Sequence, residues 1–315
     1  MKHLHFLAVG ACIVFTGCGG GGPTSGAGTV VVPPTTSAPT PTPSASPTPT
    51  IDFTRDFVFT SVLGSASSEF RYVDSVGSTR TVQTVEDDWL PDEPVLSLKF
   101  NAGTGSLEFS YGTQGVAFSA ADRLGEQYYT QNGNSLAFLT SAPPFKYVVA
   151  AYTKGPESPD VVGNNNGKRW ASHVGIFGYN STVSTRIEGA LNTYTGQPLL
   201  RGGYNDNNRL RVSSLPLWIN SGKNFNLGSM YLTKIENGSE SPVARLDLKG
   251  TLNEATNFFS GTISDPVTGY SGTFRGALFG PNREELGILY RFSSTLAGGI
   301  TYSGEMLARR DSPAN

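Results

Sequence analysis

The sequence predicts an all-β protein: an N-terminal antiparallel β domain followed by a closed antiparallel barrel of about eight strands. Three observations lead there. From Asp52 onward apolar and polar residues alternate with period two, as in half-buried strands. Glycine (38) and proline (20) are abundant while charged residues make up only 15%, a mixture suited to short strands and many turns. A four-residue pattern also recurs with a spacing of 11 residues in the C-terminal half: Lys249-Gly250-Thr251-Leu252, Ser260-Gly261-Thr262-Ile263 and Ser271-Gly272-Thr273-Phe274.

The chain opens on an export signal over residues 1–17, with Lys2 as its positive start and Leu4 to Val14 as its apolar core. That core is shorter than the about 20 residues needed to cross a bilayer as a helix. Phe15-Thr16-Gly17-Cys18 forms the cleavage region. It resembles the lipobox of bacterial lipoproteins, with Phe15 where leucine is usual. That resemblance implies lipidation (palmitate among the acyl chains) at Cys18, and Gly19 after it fits outer-membrane sorting. The other cysteine, Cys12, lies within the signal, so the mature protein would hold no disulfide and would depend on packing.

Residues 18–50 read as a lipidated tether. A flexible glycine run precedes a Pro/Thr/Ser segment whose eighteen residues could extend roughly 55 Å. No charge occurs between Gly19 and Ile51, so the segment sets distance and lacks the lysines that would grip lipid headgroups.

The N-terminal β domain spans 51–144 and ends near the turn Ser141–Phe145. Within it, Ser119–Gln127 carries Ala120, Ala121 and Leu124 at helical spacing and reads as one short helix. The barrel is expected over 145–311. An 11-residue repeat suits a strand of about seven residues plus a tight turn, the spacing of a β-meander. Alternation places Leu246, Leu248, Gly250 and Leu252 on one side, with Arg245, Asp247 and Lys249 on the other. Phe259, Gly261 and Ile263 follow the same rule, as do Tyr270, Gly272, Phe274, Gly276 and Leu278, then Tyr302, Gly304 and Met306. Each repeat glycine thus falls on the apolar face. That would waste burial in an open sheet but relieves crowding in a tightly curled one. A barrel of about eight strands has an interior just filled by side chains. The expected lumen is therefore packed, with any ligand meeting loops or the outer wall.

Residues 272–292, GTFRGALFGPNREELGILYRF, resemble the signature of the transferrin-binding protein B-like β-barrel family of surface lipoproteins. Gly276, Phe279, Gly280, Pro281, Asn282, Glu284, Glu285, Leu286 and Gly287 carry the match. The stretches His173–Tyr179 and Gly189–Gly196 are similar to that family's opening barrel strands. The resemblance implies a single lobe: a handle domain followed by an eight-stranded up-and-down barrel. It further implies display at the cell surface by a lipoprotein translocon, and capture of iron or another nutrient from a transferrin- or haem-type source. Classical members carry two such lobes, and this chain has room for one. On local rules, Asn282 can cap a helical turn with Glu285 reaching back to it, so the acidic pair is structural.

Catalytic chemistry finds few residues to use. Only His173 remains once the signal is removed, and no free thiol does, which leaves no zinc set and no cysteine nucleophile. His173 shares a strand face with Gly175, Phe177 and Tyr179 and reads as a packed histidine. The acidic run Glu86–Glu93 lacks the alternate-residue spacing of a calcium loop and reads as a solvated loop. Residues 163–167 and 202–208 read as polar hairpin loops. Net charge is −2, so there is no basic excess to draw nucleic acid. No cofactor or metal is expected. Exposed aromatics on such a scaffold are contact candidates: Tyr204, Trp218 and Trp89. The combined expectation is a non-enzymatic solute-binding lipoprotein of the outer membrane, meeting a host or environmental ligand or an outer-membrane receptor. The alternative is a structural or adhesive envelope lipoprotein.

Overall fold

Among the described residues, twenty-one strands in three antiparallel sheets account for nearly all the regular structure. The computed structural model describes residues 49–61, 63, 65–75, 79–90, 96–125, 127–139, 144–160, 167–185, 187, 192–201, 204–205, 208–213, 216–220, 225–236, 238–294 and 301–311. The export signal, Cys18 and nearly all of the tether lie outside these residues.

The first sheet holds β1 (Phe57–Thr60), β4 (Leu96–Asn101), β5 (Ser106–Tyr111) and β6 (Gln114–Phe118), in that spatial order. The second runs β13 (Tyr204–Asn205), β3 (Thr79–Leu90), β2 (Ser65–Ser75), β11 (Gly167–Gly178), β9 (Val148–Lys154), β8 (Asn134–Leu139) and β7 (Tyr128–Gln131). A short β10 (Ser158–Asp160) pairs beside β11. The third runs β14 (Asn208–Ser213), β16 (Phe225–Glu236), β17 (Ser239–Asn253), β18 (Phe258–Asp265), β19 (Tyr270–Phe279), β20 (Glu285–Ser294), β21 (Thr301–Arg310), β12 (Asn192–Arg201) and β15 (Leu217–Ile219).

The third sheet is the barrel. From β16 to β21 each strand pairs with the next, an up-and-down meander. β14 and β15 follow one another closely in the chain, yet β14 bonds to β16 and β15 bonds to β12. Together they fill one strand position, which brings the ends of the sheet together and makes eight positions around the wall. The inward faces are as the alternation predicts. Ala244, Leu246, Leu248 and Leu252 are buried in one cluster with Phe259, Ile263, Phe274, Leu286, Tyr290, Phe292, Tyr302 and Met306. Gly276 and Gly304 make room for rings: a Cβ at Gly276 would run into Phe259, and one at Gly304 would meet Tyr290 Cζ at 2.5 Å. Among the described residues the lumen is occupied by this aromatic and aliphatic cluster, which includes a stacked Phe292–Tyr302 pair at 5.5 Å. Outward positions on β17 and β18, such as Arg245, Lys249, Ser260 and Thr262, are exposed and polar. This is the reverse of a lipid-facing barrel, whose outer wall carries an apolar band.

One expectation about the barrel is corrected. His173–Tyr179 does not open it: β11, which contains His173–Gly178, pairs with β9 and β2 in the second sheet, and the barrel sheet begins at β12. The reason lies in β9, where Val148, Val149, Ala150 and Ala151 are all buried. Val149, Ala151 and Phe177 face the first sheet, in a cluster with Leu98, Phe109 and Phe138. Val148, Ala150, Val174 and Ile176 face the other way, against Ala277, Phe279, Leu289 and Leu307 on the barrel's outer wall. Strands buried on both faces belong to a middle layer, so the first sheet and the barrel sandwich the second.

Two local readings also change. The helix at Ser119–Gln127 is a single 3-10 turn over Ala120–Asp122, held by the Asp122 carboxylate accepting from Ser119 N and Oγ, both at 2.7 Å. Leu124 then turns outward, its N–H bonded to Tyr128 O. Glu86–Leu90, read as loop, is the end of β3 paired to β2.

Candidate functional site

The signature segment is an architectural joint. β19 and β20 meet at a tight turn in which Gly280 takes a φ of +84° and Arg283 one of +62°. No helix follows, so the expected cap involving Glu285 is absent. Glu284 takes that local role instead, accepting from Asn282 N at 2.9 Å and Nδ2 at 3.0 Å. Glu285 is buried and reaches across the fold, accepting the backbone N–H groups of Lys146 and Tyr147 at 2.8 Å and Val148 at 3.2 Å. It thereby fastens the start of β9 to the barrel wall, with Arg309 at 3.7 Å. Gly287 leaves space for Ile176 of the middle sheet, whose Cγ2 would lie 2.7 Å from an added Cβ. Phe279 is fully buried between the layers.

Sequence reasoning passed over Arg283, which is buried at one end of the barrel. Its guanidinium donates to Asn257 Oδ1 (2.7 Å), Val183 O (2.8 Å) and Thr185 O (2.9 Å). Tyr194 Oη donates to the Arg283 carbonyl at 2.7 Å. One side chain thus ties the β17–β18 turn, the β19–β20 turn and the 183–185 segment together and closes that end. On the outer wall, Arg201 and Glu305 form a buried ion pair, and the guanidinium lies 3.5 Å from the Tyr152 ring of the middle sheet.

Of the three aromatic contact candidates, Trp89 and Tyr204 have backbones far apart along β3. Trp89 pairs with Ala66 at one end of β3, and Tyr204 pairs with Val82 of the same strand, seven residues away and thus about 23 Å along it. Trp218 is half-buried on β15 of the barrel, opposite Thr193.

A formed concavity lies instead between the first and second sheets, where the sandwich opens. It is a cleft of about 250 Å³. The β5–β6 hairpin supplies Phe109, Tyr111, Val116 and Phe118, while β8, β9 and β11 supply Asn134, Thr153 and His173. The register explains the convergence: His173 is opposite Thr153, so both project from the middle sheet toward the hairpin. The imidazole stacks on Tyr111 with centroids 4.1 Å apart and planes 23° off parallel. Burial pushes the imidazole down to about 4, so it is neutral at ordinary pH. At the rim, Lys154 Nζ binds Glu157 at 2.7 Å and lies 4.4 Å from the centre of the Trp170 ring. Expected as a packed histidine, His173 is packed, and it also lines this cleft. No period in the sequence marks the cleft residues, because they come from five strands.

Among the described residues no three His, Cys, Asp or Glu side chains come together as a metal site. No family model matches the chain, and no curated protein matches it. Its structure is similar to the isotype 1 transferrin binding protein B of serogroup B Neisseria meningitidis, at 14% identity and a TM-score of 0.36, over 78% of this chain and 44% of that one. It is also similar to the N-lobe domain of lactoferrin binding protein B of Moraxella bovis, at 11% identity and a TM-score of 0.35, over 79% and 100% of the two chains. A protein of unknown function from Nostoc punctiforme matches at 12% identity and a TM-score of 0.23, over 79% and 96%. The chain spans under half the length of the first of these structures.

Proposed function

We propose that the protein is a non-enzymatic capture module of the outer membrane, lipid-anchored through Cys18 on a tether and displayed at the cell surface. Its role is binding a solute or carrier for nutrient or iron uptake. The observation that carries this reading is the polarity of the barrel. The lumen is filled by apolar rings, and the outer wall of β17 and β18 is polar, so the barrel is built as a water-facing scaffold. The signature at 276–287 adds the family expectation, and the lipobox-like cysteine and uncharged spacer supply the tether. Two or three acyl chains at about 0.8 kcal/mol per buried CH₂ suffice for stable anchoring. Partners on this reading are an iron carrier or similar ligand, an outer-membrane receptor, and the translocon that exports the folded lobe.

The test is pull-down by the immobilised mature chain from growth medium and envelope extracts, with a haem titration beside it and protease shaving of intact cells. A saturable ligand and removal of the protein by shaving are expected. No ligand under any condition would overturn the capture role, and protection from shaving would overturn surface display. Mass spectrometry that finds Cys18 unmodified would remove the anchor.

A further inference from the structure

We propose that the cleft at the open end of the sandwich is a binding site for a small, uncharged, planar aromatic compound. The inference rests on the reading of the protein as a non-catalytic binder and names a ligand class for this cleft. Three features converge.

The first is size. About 250 Å³ lies below the ~300–1,000 Å³ of drug-sized sites, which suits one ring or a fused pair. The second is the lining. Phe109 and Phe118 supply apolar walls, and the parallel Tyr111–His173 pair supplies aromatic surface against which a flat ring can pack offset or edge-on. Asn134, Gln114 and Thr153 place amide and hydroxyl groups around that surface, so a ring bearing a hydroxyl or N–H finds hydrogen-bond partners.

The third is charge. Among the described residues no carboxylate lines the cleft. His173 is neutral, and Lys154, the one lining cation among the described residues, is engaged by Glu157 and by the Trp170 face. A charged ligand would therefore lose its hydration without gaining a free counter-charge, which disfavours it relative to a neutral one of the same shape.

Ala171 offers a way to close the site without disturbing the core. It is exposed at the rim, two residues before His173 and on the same strand face. The experiment is ligand-observed NMR titration of the mature chain with phenol and indole against benzoate and benzylammonium at pH 7, repeated on Ala171→Trp. Phenol and indole should bind at least ten-fold tighter than the charged probes, and Ala171→Trp should weaken them at least ten-fold. Val116→Phe narrows the cleft from the facing wall and should do the same if Ala171→Trp lowers the melting temperature.

Equal binding of charged and neutral probes, or neutral binding unaffected by both variants, would overturn the assignment. If phenol and indole bind as expected while pull-down finds no ligand, the cleft assignment is upheld and the larger capture reading fails. If capture succeeds but phenol and indole do not bind, only the cleft assignment fails.

Discussion

His173→Phe should abolish a pH dependence of stability that the native protein shows between pH 7 and 5. His173 is the only histidine beyond residue 5, so no other imidazole in the folded part contributes. In the unfolded chain it titrates at its ordinary value of 6.5, and in the folded chain burial lowers that to about 4. Between these values the unfolded state holds a proton that the folded state does not, so lowering the pH through this window favours unfolding. Above 6.5 the term is flat. Below about 4 it is fully lost. From pH 7 to pH 5 the loss works out at about 2 kcal/mol. Glu157 at the rim does not confuse the pH 7 to 5 comparison, because hydrogen bonds from Lys154 and Lys168 hold it below its usual range, so its own contribution is lost only as pH falls below the ordinary glutamate range. Phenylalanine keeps a flat ring against Tyr111 but cannot be protonated. Urea denaturation at pH 7, 6 and 5 reads both curves. A native protein equally stable at pH 7 and pH 5, or a His173→Phe protein that still loses about 2 kcal/mol, would refute the placement of this imidazole between the sheets.

Two further substitutions probe the joints of the fold. Glu285→Ala leaves the N–H groups of Lys146, Tyr147 and Val148 without their acceptor; at about 1–3 kcal/mol for each buried orphan, and with Lys146 open to water, we expect a loss of about 3 kcal/mol in urea denaturation. Gly276→Ala drives a methyl group into the Phe259 ring and should cost about 1–3 kcal/mol. Phe259→Leu in the same chain should recover part of that cost, and a double-mutant cycle with no coupling would argue against this contact.

The barrel was legible in the sequence because its physics is local and periodic. One polar wall and one apolar wall give clean alternation along β17 and β18, and the glycines of the 11-residue repeat fall on the inner face, as Gly250 does beside the Phe274 ring. The middle layer was harder to read. A strand covered on both sides loses alternation, and Val148–Ala151 is such an uninterrupted apolar run. His173 was assigned to the correct strand face, but its sheet depended on pairing with β2, about a hundred residues earlier in the chain. Glu285 misled for a similar reason: spacing suggested a local cap, whereas its partners lie 137–139 residues away. Arg283 had no flag at all, since a buried arginine bonded to carbonyl oxygens looks like any surface arginine in sequence. The cleft joins Tyr111 to His173 across two sheets, a juxtaposition that only the packing creates.

That the barrel interior admits no guest, leaving recognition to its outer surfaces and to the sandwich, is tested most directly by crystals of the mature chain pressurised with xenon. Xenon occupies dry apolar voids of guest size. We predict no xenon among Tyr194, Phe274, Tyr290 and Met306. Strong density there would reveal a lumenal cavity and contradict the account.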